Sequence, residues 1–251
     1  MQFAGIDIGS RTIELVVLEN GKTVEIKQTD SGFDPLTKAK ELLHNVEYDH
    51  IVATGYGRHL FKLSFDAAAT ITEIMAYALG TNALFPAVRT ILDIGGQDSK
   101  AIAINNAGKV IKFEMNDKCA AGTGKFLEIM AQTLGYGLDR FGIEALKSTR
   151  DIQVNSMCTV FAESEVTSLV AKGESRQDIA LGLHYSVVRR AAGMLKRIPI
   201  KEPILFAGGV ARNPCICRLL EQALKTDILV PENPQIIGAL GAAFMAKENF
   251  L

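Results

Sequence analysis

The sequence predicts an α/β protein built from two related lobes, and three observations lead to that class. The 251 residues include 48% hydrophobic and 22% charged side chains, which is an ordinary globular composition. A strand that ends in an aspartate and a glycine turn occurs twice, 86 residues apart, and self-similarity of this kind indicates related lobes. Between the two copies, residues 34–46 and 67–83 are predicted as helices, separated by a short strand at 51–54.

Charge and hydropathy exclude several classes of partner. The chain carries 27 Lys and Arg against 28 Asp and Glu, for a net charge of -1. This near-neutral balance argues against nucleic acid or anionic lipid as a partner. The acidic Asp7 comes too early for a secretory signal, and no apolar run approaches the ~20 residues of a membrane span. We therefore expect a cytoplasmic protein, in which cysteines are more often ligands, nucleophiles or buried residues than disulfides.

The two related segments are predicted to be hairpins with polar tips. The first runs from Phe3 through Asp7 and a glycine turn into 12–18, and the second runs from Thr90 through Asp93 into 101–104. Glycine turns let backbone N–H groups approach phosphate oxygens closely, and carboxylates at strand ends hold magnesium directly or through its waters. The pattern therefore predicts a site for a magnesium-bound nucleoside triphosphate.

Two later segments complete a recognisable order of motifs. Residues 204–207 predict a buried strand entering a Gly208-Gly209 turn, with Pro214 placed to start a helix, and Gly238 and Gly241 predict a helix that packs closely on its neighbour. In order, the four segments resemble the phosphate-1, phosphate-2, adenosine and connecting motifs of the acetate and sugar kinase, heat-shock cognate and actin superfamily. The resemblance implies a two-lobed actin-like, ribonuclease H-like ATPase fold with mixed central sheets. Lobe I would cover 1–88 plus 236–251, and lobe II 89–235.

Two cysteines are predicted to lie at helix starts. Cys119 precedes a predicted helix at 125–134, and Cys158 precedes one at 160–172. Helix N-termini favour thiolates and accept anionic clusters. Two thiolates are half of the four that a tetrahedral zinc or a cubane iron–sulfur cluster takes, so a two-fold dimer would supply the rest. The alternative is that both are buried apolar cysteines.

The strings around these cysteines carry a more specific resemblance. Residues 116–128 (Asn-Asp-Lys-Cys-Ala-Ala-Gly-Thr-Gly-Lys-Phe-Leu-Glu) and 156–165 (Ser-Met-Cys-Thr-Val-Phe-Ala-Glu-Ser-Glu) closely resemble activators of 2-hydroxyacyl-CoA dehydratases. These activators are relatives of the ATPase subunits of benzoyl-CoA reductase, in the BadF/BadG/BcrA/BcrD type of ATPase, and the likeness covers nearly the whole chain. It implies one 4Fe-4S cluster per homodimer, with Cys119 and Cys158 as ligands.

The same resemblance implies the reaction and its partners. ATP hydrolysis to ADP would drive a low-potential electron into a dehydratase or reductase iron–sulfur protein, and a ferredoxin or flavodoxin would supply that electron.

The site residues receive individual roles on this basis. Asp7 and Asp93 are assigned to Mg²⁺ and its waters, and Gln97 and Asp98 to orienting the attacking water or the metal shell. The nucleotide-binding residues are predicted to be Gly9, Ser10, Arg11, Gly95, Gly96, Lys100, Gly122, Gly124, Glu128, Gly208 and Gly209. For Arg11 and Lys100 the alternative is a solvated hairpin tip. Glu128 is placed near ribose, with a surface carboxylate as its alternative.

Two other functions fit parts of the sequence. A kinase for a small hydroxylated metabolite would use the same cleft with Asp117 as its base, but it leaves the cysteine strings unexplained. A non-enzymatic actin-like nucleotide-binding module is the second alternative. Cys215 and Cys217 are predicted to pack rather than bind metal, and His44, His50, His59 and His184 are expected to be surface or core residues.

Overall fold

The chain forms two compact units. The computed structural model describes residues 1–65, 69–150, 152–154 and 158–250. Unit 1 comprises residues 1–91, 102–113 and the segment from Glu232 to the C-terminus, and unit 2 comprises 92–101 and 114–231. Each unit is therefore assembled from separate stretches of the sequence.

Within these described residues, the strands form two five-stranded sheets. In chain order they are β1 (Gln2–Ile8), β2 (Thr12–Glu19), β3 (Lys22–Asp30), β4 (His50–Thr54), β5 (Ala69–Thr70), β6 (Thr90–Ile94), β7 (Ser99–Ile104), β8 (Val110–Asn116), β9 (Ile204–Ala207) and β10 (Ile228–Leu229). The first sheet has the order β3-β2-β1-β4-β5, and the second has the order β10-β9-β6-β7-β8. Their similar organisation matches the repeated hairpin motif of the sequence.

The helices lie between and after these strands. They are α1 (Pro35–Leu43), α2 (Arg58–Ser64), α3 (Glu73–Leu84), α4 (Gly124–Thr133), α5 (Leu138–Ala145), α6 (Thr159–Ala171), α7 (Arg176–Leu195), α8 (Pro214–Leu224) and α9 (Ile237–Phe250). A 3₁₀ turn, Gly209–Arg212, links β9 to α8. Within the described ranges, no helix combines the length and hydropathy that a membrane crossing requires.

The first sheet is mixed and is covered on both faces. Strand β1 pairs antiparallel with β2 and parallel with β4. Its alternate residues Ala4, Ile6 and Ile8 enter the core beneath α1 and α2, and Phe3 enters the core beneath α3 and α9. Burial on both faces explains why this strand reads as a nearly continuous apolar run.

Helix α9 approaches the first sheet and α3 very closely. A Cβ at Gly5 of β1 would collide with the Ala239 carbonyl, and one at Gly241 would collide with the Ala76 carbonyl. Only residues without a side chain allow the backbones to meet at this distance. The prediction that small residues let this helix pack closely on its neighbour is confirmed.

Two predicted helices are shorter than the sequence pattern indicated. The helix predicted at 34–46 is α1, which begins after Asp34 because the Asp34 carboxylate accepts the Thr37 N–H at 3.2 Å. The helix predicted at 67–83 is α3, which begins after its N-cap Thr72. Residues 67–68 lie outside the described part of the chain, and Ala69–Thr70 form β5 instead, paired parallel with β4. The strand predicted at 51–54 is confirmed as β4.

A buried histidine organises the helices of unit 2. The His184 ring is fully buried on α7, with Nδ1 2.7 Å from the Ala180 carbonyl and Nε2 2.9 Å from Asn213 Nδ2. The Asn213 side-chain oxygen in turn accepts the N–H groups of Cys215 and Ile216, and so caps α8. Because Nε2 must accept from the amide, the ring has to stay neutral. Burial accordingly lowers the pKa of His184 to about 4.

This histidine makes unit 2 sensitive to acid. The folded pKa of about 4 lies below the ordinary value of 6.5, so the stabilisation is complete above pH 6.5 and is lost as pH falls toward 4. The full loss amounts to about 3 kcal/mol. We expect His184→Gln to remove this part of the pH dependence, as measured by urea unfolding between pH 4 and 7. The exposed His44→Gln is the control and should retain it; equal slopes in the two variants would contradict the assignment.

Candidate nucleotide and cysteine sites

The glycine turn after β6 is joined to the start of α4. The turn closes with the Gly95 N–H donating to the Asp98 carbonyl at 3.0 Å. The carbonyls of Gly95 and Gly96 accept the N–H groups of Gly124 and Lys125 at 2.9 and 2.8 Å. Two of the free donors at the helix N-terminus are thus used to fix the turn. The predicted phosphate-2 turn and the predicted Gly122–Gly124 segment are therefore neighbours.

The Gly122–Gly124 segment is anchored from a second side. The Ser99 hydroxyl of β7 donates to the Gly122 carbonyl at 2.8 Å. Gly122 has a φ of +90°, a backbone conformation that favours glycine. A Cβ at Gly124 would lie 3.0 Å from the Gly95 carbonyl oxygen. The glycines at these positions are therefore required by the close approach of loop to turn.

Three charged side chains meet beneath this turn. Asp93 is 1% exposed and Lys100 is 2% exposed. The Lys100 Nζ lies 3.0 Å from Asp93 Oδ2 and 2.6 Å from Asp98 Oδ2. A buried ammonium is tolerated only when it is paired in this way. The alternative that Lys100 belongs to a solvated hairpin tip is wrong, because the side chain turns inward to two carboxylates.

Asp93 keeps one oxygen for another ligand. Its Oδ1 is buried and has no hydrogen-bond partner within the described part of the chain. A Cβ at Gly208, whose φ is +84°, would collide with this oxygen. A buried carboxylate oxygen without a partner fits an ion or water that completes the site, and magnesium prefers such ligands.

Magnesium would not be held here by protein ligands alone. Within the described residues, no group of three or more His, Cys, Asp or Glu side chains could hold a metal ion. Mg²⁺ commonly keeps several waters and takes its remaining ligands from one or two carboxylates and substrate phosphates. The arrangement around Asp93 fits this mode of binding.

Unit 1 repeats the same arrangement around Asp7. The Gly9 N–H donates to the Thr12 carbonyl at 3.1 Å, as Gly95 does to Asp98 in unit 2. The Asp7 carboxylate is 7% exposed, and a Cβ at Gly55 or at Gly238 would collide with it. Gly55 has a φ of +84°, as Gly208 does. Each unit therefore places an aspartate near the end of a strand against a glycine whose backbone conformation other residues rarely adopt.

Gly55 lies against the Asp7 carboxylate and is a candidate site residue that the sequence motifs did not identify. It follows β4 directly, in the segment Gly55-Tyr56-Gly57, and the Gly57 N–H donates to the Ile8 carbonyl at 2.9 Å. An apolar strand that ends at a glycine turn is also the signal that identified Gly208 and Gly209. The segment could have been found by comparing it with that later turn.

The remaining predicted nucleotide residues lie around these turns. Ser10 and Arg11 are exposed between β1 and β2, and Gln97 is exposed between β6 and β7. Gly209 begins the 3₁₀ turn after Gly208. Glu128 lies on α4, with its carboxylate 3.4 Å from Lys125 Nζ. Their roles toward a nucleotide stay predictions.

Cys119 lies on an exposed loop whose backbone is held by a neighbouring side chain. The Asn116 side chain donates to the carbonyls of Cys119 and Ala121 at 2.9 and 3.3 Å. Cys119 precedes a helix as predicted: α4 begins at Gly124, one residue before the predicted start, and a turn closed by the Thr123 N–H and the Ala120 carbonyl lies between the cysteine and the helix. Asp117, which would be the catalytic base if the protein were a metabolite kinase, is exposed on this loop.

Cys158 occupies the position that the sequence predicted. It is the N-cap residue of α6, and its carbonyl accepts the Ala162 N–H at 2.8 Å. Both Cys158 and Cys119 are exposed, so the alternative of two buried core cysteines is wrong. Helix α6 packs against α4, the helix that follows the Cys119 loop.

Cys215 and Cys217 pack within unit 2. Burial raises the pKa of Cys215 to about 12 and that of Cys217 to about 11. The Cys217 Sγ lies 3.3 Å from the Ala211 carbonyl oxygen. Thiols with raised pKa values are poor metal ligands and nucleophiles, which supports their predicted packing role.

Comparison with solved structures supports the predicted fold. The activator of the 2-hydroxyisocaproyl-CoA dehydratase from Clostridium difficile, solved with bound ADPNP, superposes with a TM-score of 0.90 at 38% identity and covers 99% of this chain and 95% of its own. A ROK family glucokinase from Streptomyces griseus shares the fold alone, with a TM-score of 0.64 at 11% identity over 99% of this chain and 100% of its own. The predicted actin-like ATPase fold with mixed central sheets is confirmed.

Sequence comparison identifies the family. The chain is 44% identical to the activator of lactoyl-CoA dehydratase from Anaerotignum propionicum over 99% of this chain and 98% of that protein. It is 39% identical to the (R)-2-hydroxyglutaryl-CoA dehydratase activating ATPase from Acidaminococcus fermentans, over 98% of this chain and 96% of that protein. The model of the BadF/BadG/BcrA/BcrD ATPase family matches residues 4–246. Because the match spans both units and every motif described above, this chain belongs to the BadF/BadG/BcrA/BcrD ATPase family.

Proposed function

We propose that this protein is an ATP-dependent activator that passes a low-potential electron to a 2-hydroxyacyl-CoA dehydratase or a related reductase. Relatives at 39 to 44% identity over nearly the full chain are named as activators of such dehydratases. An uphill electron transfer requires an energy source, and membership in a family of ATPases points to ATP hydrolysis as that source. The final acyl-CoA substrate would be bound by the partner enzyme, not by this chain.

One observation carries the proposal: hydrogen bonds link the glycine turn at Gly95 and Gly96 to the start of α4, which directly follows the Cys119 loop. Gly95 and Gly96 hold the first turn of α4, and Ser99 holds Gly122 just before it. The Cys119 loop enters this same helix. A shift of the turn at Gly95 and Gly96 would therefore be passed through these hydrogen bonds to the backbone next to an exposed thiol.

The described residues fit the two cofactors that this function needs. Cys119 and Cys158 are exposed thiols on neighbouring segments, and together they offer half of the four ligands of a 4Fe-4S cluster. A second copy of the chain would offer the other half, so we propose a homodimer. Asp7 and Asp93 would hold Mg²⁺ and its waters. When bound, the cluster would supply one-electron transfer.

The residues of this chain would couple hydrolysis to electron transfer in a defined order. ATP phosphates would contact other backbone N–H groups of the turns that contain Gly9, Gly95 and Gly208, because the Gly9 and Gly95 N–H groups close their own turns. Gln97 and Asp98 would orient the attacking water. Loss of the γ-phosphate would release the turn at Gly95 and with it the start of α4. A ferredoxin or flavodoxin would deliver the electron, and an iron–sulfur protein would accept it.

Iron analysis tests the cysteine assignment. We expect protein purified without oxygen to contain about four iron and four sulfide per two chains. Cys119→Ala and Cys158→Ala should each lose this iron, since each would remove two of four ligands from a shared cluster. Cys217→Ala is the matched control and should retain it, because its thiol packs inside unit 2. Iron and sulfide determination, with sedimentation to count chains, measures all four proteins.

Two results would contradict the electron-transfer proposal. One is full iron content in both Cys119→Ala and Cys158→Ala. The other is an iron-free protein, prepared without oxygen, whose ATP turnover is stimulated by sugars, which would favour the metabolite kinase.

Glycine substitution tests the nucleotide site. Gly208→Ala places a Cβ against Asp93 Oδ1, and Gly173→Ala provides the matched control. Gly173 has a nearly identical φ of +83°, but a Cβ there would meet nothing within 4 Å. We expect Gly173→Ala to lose about 1 kcal/mol of stability from backbone strain. Gly208→Ala should lose more, because its Cβ would also collide with the Ile94 carbonyl oxygen. Only Gly208→Ala should weaken ADPNP binding, by roughly tenfold or more, in isothermal titration calorimetry. Equal affinities in the two variants would remove Gly208 from the site.

A further inference from the structure

Lys100 occupies a position that the related hairpin gives to an acid. In both units a strand-end aspartate is followed two residues later by the glycine that closes the turn, and seven residues later by a buried residue on the returning strand. That residue is Glu14 in unit 1, directly opposite Asp7 in the strand register, and Lys100 in unit 2. The hairpin itself therefore does not require a cation, and Lys100 has a role specific to the Asp93 site.

The Lys100 ammonium is outnumbered by the carboxylates that it contacts. One ammonium faces two carboxylates, so Asp93, Asp98 and Lys100 together carry a net charge of one negative unit. The ammonium contacts Asp93 at Oδ2, while Oδ1 has no hydrogen-bond partner among the described residues. Lys100 thus leaves a single oxygen of Asp93 for a cation.

We propose that Lys100 is a positioning residue that limits Asp93 to one metal-binding oxygen. In this role it lowers the affinity of the site for a divalent cation and raises its affinity for the nucleotide. This inference rests on the proposed ATP-binding function, because the cation in question accompanies ATP. With Lys100 present, a divalent cation is held too weakly to remain without nucleotide, and the added positive charge attracts the polyphosphate. Without it, Asp93 and Asp98 lose the ammonium that both contact, so the site retains the cation more tightly and repels the phosphates.

The proposal predicts opposite changes for two ligands. In Lys100→Met, Mn²⁺ binding to the nucleotide-free protein should tighten by roughly tenfold or more, as counted by electron paramagnetic resonance of free Mn²⁺. Binding of ADPNP in the presence of EDTA should weaken by a similar factor in calorimetry. A purely structural role for Lys100 would weaken both. Lys112→Met, which removes an exposed lysine of the same sheet, is the control for overall charge and should change neither affinity.

The measurements also cover a variant that folds poorly. If the apo form of Lys100→Met does not melt cooperatively, Lys100→Gln retains a hydrogen-bond donor without the charge and should show the same two shifts. Mn²⁺ should raise the melting temperature of either variant more than that of the unaltered protein. An unchanged or weaker Mn²⁺ affinity in both variants, with ATP hydrolysis by the unaltered protein intact, would overturn the role of Lys100 alone. Absence of ATP hydrolysis in the unaltered protein would instead overturn the proposed function.

Discussion

The architecture of both candidate sites depends on a carboxylate at the end of a buried strand, pressed against a glycine. Asp7 meets Gly55 and Asp93 meets Gly208, and each glycine has a φ near +84°. A side chain at either glycine would occupy the space of a carboxylate oxygen. The glycine therefore fixes where the negative charge lies, and the turns that follow each strand are built around that fixed point. Repetition of this constraint in two units is the structural counterpart of the repeat in the sequence.

Sequence patterns predicted the repeated elements because each one combines several independent signals. The first hairpin, β4, α4, α6 and the proline-started α8 were all expected, since an apolar strand, a glycine turn and a cap or proline each limit the local backbone. Strand β5 and the late start of α3 were missed. Ala69–Thr70 becomes a strand only because it pairs with Val52 and Ala53, a contact that no local pattern contains.

The sequence motifs identified most residues of the candidate site, but they did not predict the contacts that these residues make with one another. Asp93, Gly95, Gly124 and Gly208 were all chosen from motifs, and in unit 2 they converge on one turn. The burial of Lys100 could not be predicted, because a lysine beside a glycine turn reads equally well as a solvated tip. The Lys100 side chain turns inward because it pairs with the carboxylates of Asp93 and Asp98, and only the folded hairpin brings these groups within contact distance.

The insertion of α9 beneath β1 has a consequence for how the polypeptide matures on the ribosome. The final helix supplies the surface against which β1 and α3 are buried, yet residues 85–236 separate α3 from it. At translation rates of about 5–20 residues per second, the first sheet stays uncovered on one face for on the order of ten seconds. The 114–231 stretch, which contains the helices of unit 2, emerges within that interval. The helices of unit 2 are therefore synthesised before unit 1 can close.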